Sequence, residues 1–132
     1  MGFFGSNVLF SAVQGQVTSN GQPVSGADVV RHYRWAWNKS EGNDTVRTDA
    51  QGRFTFDAVR KSGGMSGLVP HEPVIFQEIV IHHGGREYIA WQFTKHNYDD
   101  RGELRGKPMN LLCELAKPAV DNGHYFGLCE TR

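Results

Sequence analysis

The sequence predicts an all-β fold, a single antiparallel β-sandwich of about seven strands. Three observations predict it. Apolar residues recur with a period of two through most of the chain. Short alternating runs are separated at regular spacing by turn residues, which is where most of the 16 Gly fall. No segment sustains a helical period long enough to compete.

The elements follow in order. Residues 1–12 read as an N-terminal tail or an edge strand, 13–117 as the sandwich, and 118–132 as a C-terminal tail packing on it. Val13 to Thr18 is a short strand anchored by Val13 and Val17. Ser19-Asn20-Gly21 makes the turn after it, and Pro23 fixes the re-entry. Ala27 to Trp37 is the longest strand candidate, with Val29, Arg31, Tyr33, Trp35 and Trp37 on one face. Asn38 to Asp44 is a polar loop. Thr45 to Thr48 is a short strand, Asp49 to Gly52 a turn, and Arg53 to Asp57 a strand with Phe54 and Phe56 on one face. Lys61 to Pro73, rich in Gly and Pro, reads as a long loop. Val74 to His83 is apolar on both faces, as in a central strand covered on both sides or one with a bulge. Gly84-Gly85 makes a hairpin turn, and Glu87 to Lys95 returns with Ile89, Trp91 and Phe93 on one face. His96 to Lys107 is polar and turn-rich. Met109, Leu111, Cys113 and Leu115 alternate as a strand, against a competing short helix over Leu111 to Lys117. In the tail, Tyr125, Phe126 and Leu128 are placed to cover a sheet edge.

Composition narrows the function classes. The 132 residues suit one domain, and the surface law lets about two-thirds of the unfolded surface be buried. Fourteen basic residues balance 14 acidic ones. That neutrality argues against nucleic-acid binding through bulk charge and against a polybasic membrane module. Eight Phe, four Tyr and three Trp argue against disorder. No apolar run reaches the ~18 residues of a membrane span. No basic residue precedes Arg31, so an export signal is not expected and the cytoplasm is, with the periplasm as the alternative. In that compartment Cys113 and Cys129 are expected as two reduced thiols.

One pattern is more specific than generic β. Gly15-Gln16-Val17 is followed by Asn20-Gly21-Gln22-Pro23-Val24-Ser25-Gly26-Ala27-Asp28-Val29, and then by Thr48-Asp49 leading to Gly52-Arg53-Phe54-Thr55-Phe56. Asn20 and Gly21 suit the positive φ of a tight hairpin, and Pro23 sits where no ladder N–H is needed. Gly26 admits a close strand entry. Asp49 can bond its own turn, and Gly52 supplies a left-handed position before Phe54. These pieces resemble the carboxypeptidase-regulatory-like family, whose domains are transthyretin-like (prealbumin-like) sandwiches. The resemblance covers Val13 to Phe56 and implies a transthyretin-like/Ig-like topology. The stretch from Pro70 to Leu115 further resembles a group of small uncharacterised bacterial proteins, through Pro70-His71-Glu72-Pro73, Glu87-Tyr88 with Trp91, and Gly102-Glu103-Leu104 leading to Cys113-Glu114-Leu115. Such a fold implies little about activity.

Chemical motifs are sparse. His32, His71, His82, His83, His96 and His124 show no metal-ligand spacing, and adjacent His82 and His83 point to opposite faces of a strand. No metal and no cofactor are expected, and no catalytic residue is assigned. Gly64-Met65-Ser66-Gly67 misses the spacing of a nucleophile elbow. The charged loop of Asp99, Asp100, Arg101, Glu103 and Arg105 reads as a solvated turn or, failing that, a partner-facing loop. Aromatic and Arg side chains dominate protein contacts, so Arg31, Tyr33 and Trp37, with His71, Glu72, Tyr98, Asp99, Asp100 and Arg101, form the expected partner-binding set. Trp35 and Trp91 are expected in the core. The leading expectation is a non-enzymatic module that binds another protein. Resemblance and size point to the immunity or adaptor partner of a secreted bacterial toxin, of the type VI kind. Two alternatives are a hydrolase or metal enzyme on a transthyretin scaffold, and an exported carbohydrate-binding or adhesion domain.

Overall fold

The computed structural model describes residues 6–62 and 69–132. Gly64 to Gly67, and residues 63–68 of the loop read from Lys61 to Pro73, lie outside them, while Lys61 and Ser62 belong to a strand. The fold is an all-β sandwich. The strands are β1 (Ser6–Phe10), β2 (Val13–Ser19), β3 (Gln22–Pro23), β4 (Asp28–Trp35), β5 (Ser40–Arg47), β6 (Arg53–Phe56), β7 (Val59–Ser62), β8 (Ile75–His83), β9 (Arg86–Lys95), β10 (Met109–Glu114), β11 (Val120–Asp121), β12 (Phe126–Gly127) and β13 (Glu130–Thr131).

One sheet runs β11-β12-β9-β8-β4-β5, and the facing sheet runs β13-β10-β2-β3 with β6 also on β2. β1 and β7 form a separate two-stranded ribbon. Strands outnumber the expected seven because β3, β11, β12 and β13 are two-residue pairings and β1 and β7 pair with each other. Among the described residues the pairing is antiparallel with one exception: β2 and β10 run parallel, from Met109 opposite Val13 to Glu114 opposite Thr18. That pair closes the chain's first core strand against its last long one, and both send alternate residues inward. Val13, Val17, Met109, Leu111 and Cys113 are all buried.

β4 carries the interior of the larger sheet. Val29, Arg31, Tyr33 and Trp35 face inward and are buried, while Val30, His32 and Arg34 face outward. The strand expected from Thr45 extends back through Ser40 to Asp44, read as loop, to form β5, whose eight residues pair with β4 from Asp28–Arg47 to Trp35–Ser40. Its side chains are polar because it is an edge strand with one face in water; the ladder, not apolar alternation, makes it a strand. Turn geometry then fixes the corners. Asn20 and Gly21 have φ of 52° and 82°, which suits the β2–β3 hairpin. Gly52 has φ of 76°, and a Cβ there would lie 2.4 Å from the Val17 carbonyl oxygen. Only glycine satisfies both conditions.

A bulge between β8 and β9 re-aims one strand. Ile79 pairs with Trp91, but Val80 pairs with Ile89, leaving Ala90 as the extra residue. Ile89 therefore faces with Val80, away from Trp91 and Phe93, and Tyr88 takes the inward position opposite Ile81. β10 alternates buried and half-buried residues, so strand prevails over the short helix there.

The C-terminal segment is woven into both sheets. β12 joins β9 through Phe126 and Gln92, and β13 joins β10 through Leu111–Thr131 and Leu112–Glu130. Tyr125 stacks on Trp91 with ring centroids 4.4 Å apart. This return path brings Cys129 beside Cys113, with 4.2 Å between their Cα atoms, and the two form a disulfide. The expectation of two reduced thiols is thus corrected: it was drawn from compartment, and the pairing is set by β13 folding back on β10.

Candidate functional site

Three connections meet at one end of the larger sheet. The β4–β5 turn (residues 36–39), the segment 69–74 entering β8, and the segment 96–101 leaving β9 are neighbours because Trp35 pairs with Ile75 and Ile75 with Lys95. The Ala36 N–H donates to the Val74 carbonyl oxygen at 3.0 Å and ties the first two together.

An ordered aromatic chain occupies this end. The Trp35 indole N–H donates to the Tyr98 hydroxyl oxygen at 2.9 Å. The His71 Nδ1 lies 2.8 Å from the Val69 carbonyl oxygen, which only accepts, so Nδ1 carries a proton. In the neutral ring Nε2 is then an acceptor, and it takes the Tyr98 O–H at 2.6 Å. Burial pushes the Tyr98 phenol above its ordinary value, against the opposing effect of the Trp35 bond, so Tyr98 keeps this proton. The imidazole is held flat against Trp37, with centroids 3.9 Å apart and planes 20° apart. Trp37 and His71 are half-buried, and exposed Val69 and Pro70 flank them. Beside them His96 Nδ1 lies 3.2 Å from Glu72 Oε2, both well exposed. The patch therefore offers a rigid aromatic stack, an apolar rim and a carboxylate–imidazole pair.

Behind it lies a buried polar network that anchors the N-terminal strand. Glu103 sits in a 3₁₀ turn (Gly102–Leu104) and is fully buried. Its carboxylate accepts from the Ser11 N–H at 2.9 Å, the Ser11 hydroxyl at 2.6 Å and Gln77 Nε2 at 2.8 Å. Lys95, also fully buried, donates from Nζ to the Val8 carbonyl at 2.9 Å and the Asp99 carbonyl at 2.6 Å. Gln77 donates to the Leu9 carbonyl at 3.0 Å and accepts the Trp91 indole N–H at 3.0 Å. An indole N–H only donates, which fixes the orientation of the Gln77 amide. Side chains of β8 and β9 thus bond the carbonyls of β1 in place of a neighbouring strand. Burial pulls the Lys95 ammonium below its ordinary value, and Glu103, Asp99 and Asp100 oppose that pull.

The partner-binding set divides in this geometry. Trp37, His71, Glu72 and Tyr98 come together. Asp99, Asp100 and Arg101 lie farther along the same loop, where Asp100 is 3.7 Å from Arg60 and the Arg101 N–H donates to Ser11 Oγ at 2.8 Å. Arg31 and Tyr33 do not belong to a surface, because the inward parity of β4 buries both. Arg31 is neutralised from the facing position of β5 by Asp44, at 3.1 and 2.8 Å, and its guanidinium lies 4.9 and 4.6 Å from the ring centroids of Phe10 and Phe56. The solvated reading of the charged loop is likewise corrected at Glu103. Parity carried a signal for Lys95, which shares the strand face of Trp91 and Phe93; nothing comparable marked Glu103.

The histidines are dispersed. His32 and His82 lie 3.9 Å from Glu41 and Glu87 on the exterior, and among the described residues no three of His, Cys, Asp and Glu gather as a metal cluster. No helix among the described residues is long and apolar enough to cross a membrane. A family model described as a domain of unknown function, DUF6795, matches residues 13–118. No curated protein and no solved structure matches the chain.

Proposed function

The chain belongs to the DUF6795 family, a domain of unknown function, and on that footing we propose that it is a non-enzymatic module that binds another protein through the loop end built from Trp37, Val69, His71, Glu72 and His96. The carrying observation is the Trp37–His71 stack, held in place from below by Tyr98 and Trp35. Protein contacts draw most of their energy from a few rigid aromatic anchors ringed by polar groups. A ring already locked by hydrogen bonds loses little conformational freedom on binding. A secreted toxin is the partner class that resemblance to small bacterial proteins and size suggest.

The disulfide favours a second reading, that the module works outside a reducing cytoplasm, as an exported binding domain would. A free-thiol count on protein taken directly from its own cells separates the two: no free thiol supports export, two support the cytoplasm. The binding reading is tested by co-purification with the products of neighbouring genes. Retention of one such protein by the wild-type chain, and its loss with Trp37→Ala and His71→Ala together, is expected. A chain that captures none of them, or a double variant that captures as well as wild type, contradicts it.

A further inference from the structure

Beside the 3₁₀ turn lies a groove of about 620 Å³ lined by Arg105, Lys107, Asn122, His124, Thr131 and Arg132 among others. Its volume falls in the range of small-ligand sites. No Asp or Glu lines it, although the chain as a whole is neutral. Among the described residues Arg105, Lys107 and Arg132 make no ion pair, although Arg132 acts at longer range on the Glu130 carboxylate, whereas Arg31, Arg47, Arg60, Lys95 and Lys117 each have a carboxylate partner. Three cations without an ion pair thus share one groove, while Arg34, Lys39, Arg53, Lys61, Arg86 and Arg101, also without one among the described residues, do not line it.

The frame beneath them is fixed. Arg101 and Arg105, at φ of 59° and 57°, flank the turn in the left-handed region, and Gly106 follows at 93°. A left-handed Arg costs roughly 1–2 kcal/mol and persists only where its surroundings enforce it. Between Arg101 and Arg105, Glu103 is bonded to Ser11 and Gln77, and the Arg101 N–H donates to Ser11 Oγ while its carbonyl accepts from the Gly106 N–H. The opposite wall is equally set. Asn122 Oδ1 accepts the N–H groups of His124 and Tyr125, each at 3.0 Å, so its amide Nδ2 remains available to donate. His124 Nε2 lies 2.7 Å from the Glu103 carbonyl oxygen and must donate to it. The ring stacks on Phe93 at 5.0 Å, and among the described residues Nδ1 has no hydrogen-bond partner.

We propose that this groove is an oxyanion site for a small, multiply charged compound bearing phosphoryl or carboxylate groups, with Arg105 and Lys107 as its main cationic contacts and Asn122 and Thr131 as neutral donors. Guanidinium forks and a lysine ammonium suit such oxygens, and the walls are formed without the ligand.

The test titrates isotope-labelled chain with inorganic pyrophosphate and, separately, with citrate at constant ionic strength, following amide and histidine ring signals by NMR. Saturable shifts confined to residues 104–108, 122–125 and 131–132 are expected with at least one of the two. Stronger binding of pyrophosphate assigns phosphoryl chemistry, and stronger binding of citrate assigns polycarboxylates. The paired variant Arg105→Gly, Lys107→Gln should weaken that binding at least tenfold. Glycine relieves the left-handed strain at 105, so the rest of the spectrum reports an intact fold. Shifts that grow linearly without saturating for both anions, or equal affinity in the variant, overturn the proposal.

Discussion

Lys95 Nζ lies 3.6 Å from Glu103 Oε2, and neither side chain reaches solvent. The pair joins the end of β9 to the 3₁₀ turn, and both members also hold β1, Lys95 through the Val8 carbonyl and Glu103 through Ser11. Removing one member strands a buried charge, which costs about 3–5 kcal/mol. Lys95→Met and Glu103→Gln alone are each expected to destabilise by that order in urea unfolding. The double variant is expected to recover a large part of the loss, because no uncompensated charge remains. Strictly additive losses would show that the two side chains act separately.

Glu114 predicts an acid-sensitive corner. Its carboxylate accepts from the N–H groups of Ala116, Gly21 and Asn20, each at 2.8 Å, and from Thr18 Oγ1 at 3.0 Å. The Ala116 and Gly21 bonds lead in holding its pKa down at about 2, from an ordinary 4.5. A carboxyl held lower in the folded state than in the unfolded one stabilises above pH 4.5. That contribution declines as pH falls and is gone below about 2. The group is open to solvent, so screening limits its worth to about 1 kcal/mol. Glu114→Gln should lose that much at pH 7, and the gap from wild type should close between pH 4.5 and 2. A gap independent of pH would contradict this origin.

The Cys113–Cys129 bridge spans 16 positions and ties β10 to the C-terminal weave. Closing a loop of that size is worth about 3 kcal/mol. Reduction, or Cys113→Ala with Cys129→Ala, should lower stability by that order. Hydrogen exchange should quicken first in residues 118–132, before β4 and β8. Uniform quickening would mean that the bridge supports the whole sandwich.

Two glycines separate strain from collision. Gly52→Ala places a Cβ 2.4 Å from the Val17 oxygen at φ 76°, whereas Gly84→Ala, at φ 60°, meets nothing within 4 Å. Gly84→Ala should cost about 1 kcal/mol, the left-handed penalty alone. Gly52→Ala should cost over about 2 kcal/mol by thermal unfolding, since backbone must also move. Equal losses would remove the steric part of this argument.

Legibility in the sequence follows these physical differences. Val29 and Trp35 were readable because one buried face imposes a period of two, although Tyr33 on that same face was assigned to a surface, and the two turns were readable because positive φ demands Asn or Gly. The first part of β5, Ser40 to Asp44, was not, since an edge strand in water has no apolar alternation, and its pairing with β4 lies outside any local pattern. The bulge at Ala90 inverted the reading of Ile89, because one inserted residue reverses parity. At the loop end, Trp37, His71, Glu72 and Tyr98 were singled out by residue type, but their meeting depends on Trp35–Ile75–Lys95 register. Arg31 was misread for the opposite reason: Asp44, which neutralises it, comes from the strand taken for a loop.

The most direct test is photo-crosslinking in the cell that encodes the chain, with a photoreactive residue placed at Glu72, at His96, or at Thr55 on the far sheet. All three positions are exposed. Crosslinks to one and the same protein from positions 72 and 96, and none to it from 55, are the predicted result. Crosslinks from 55 alone, or from none of the three, would contradict a protein-binding surface at the Trp37–His71 end.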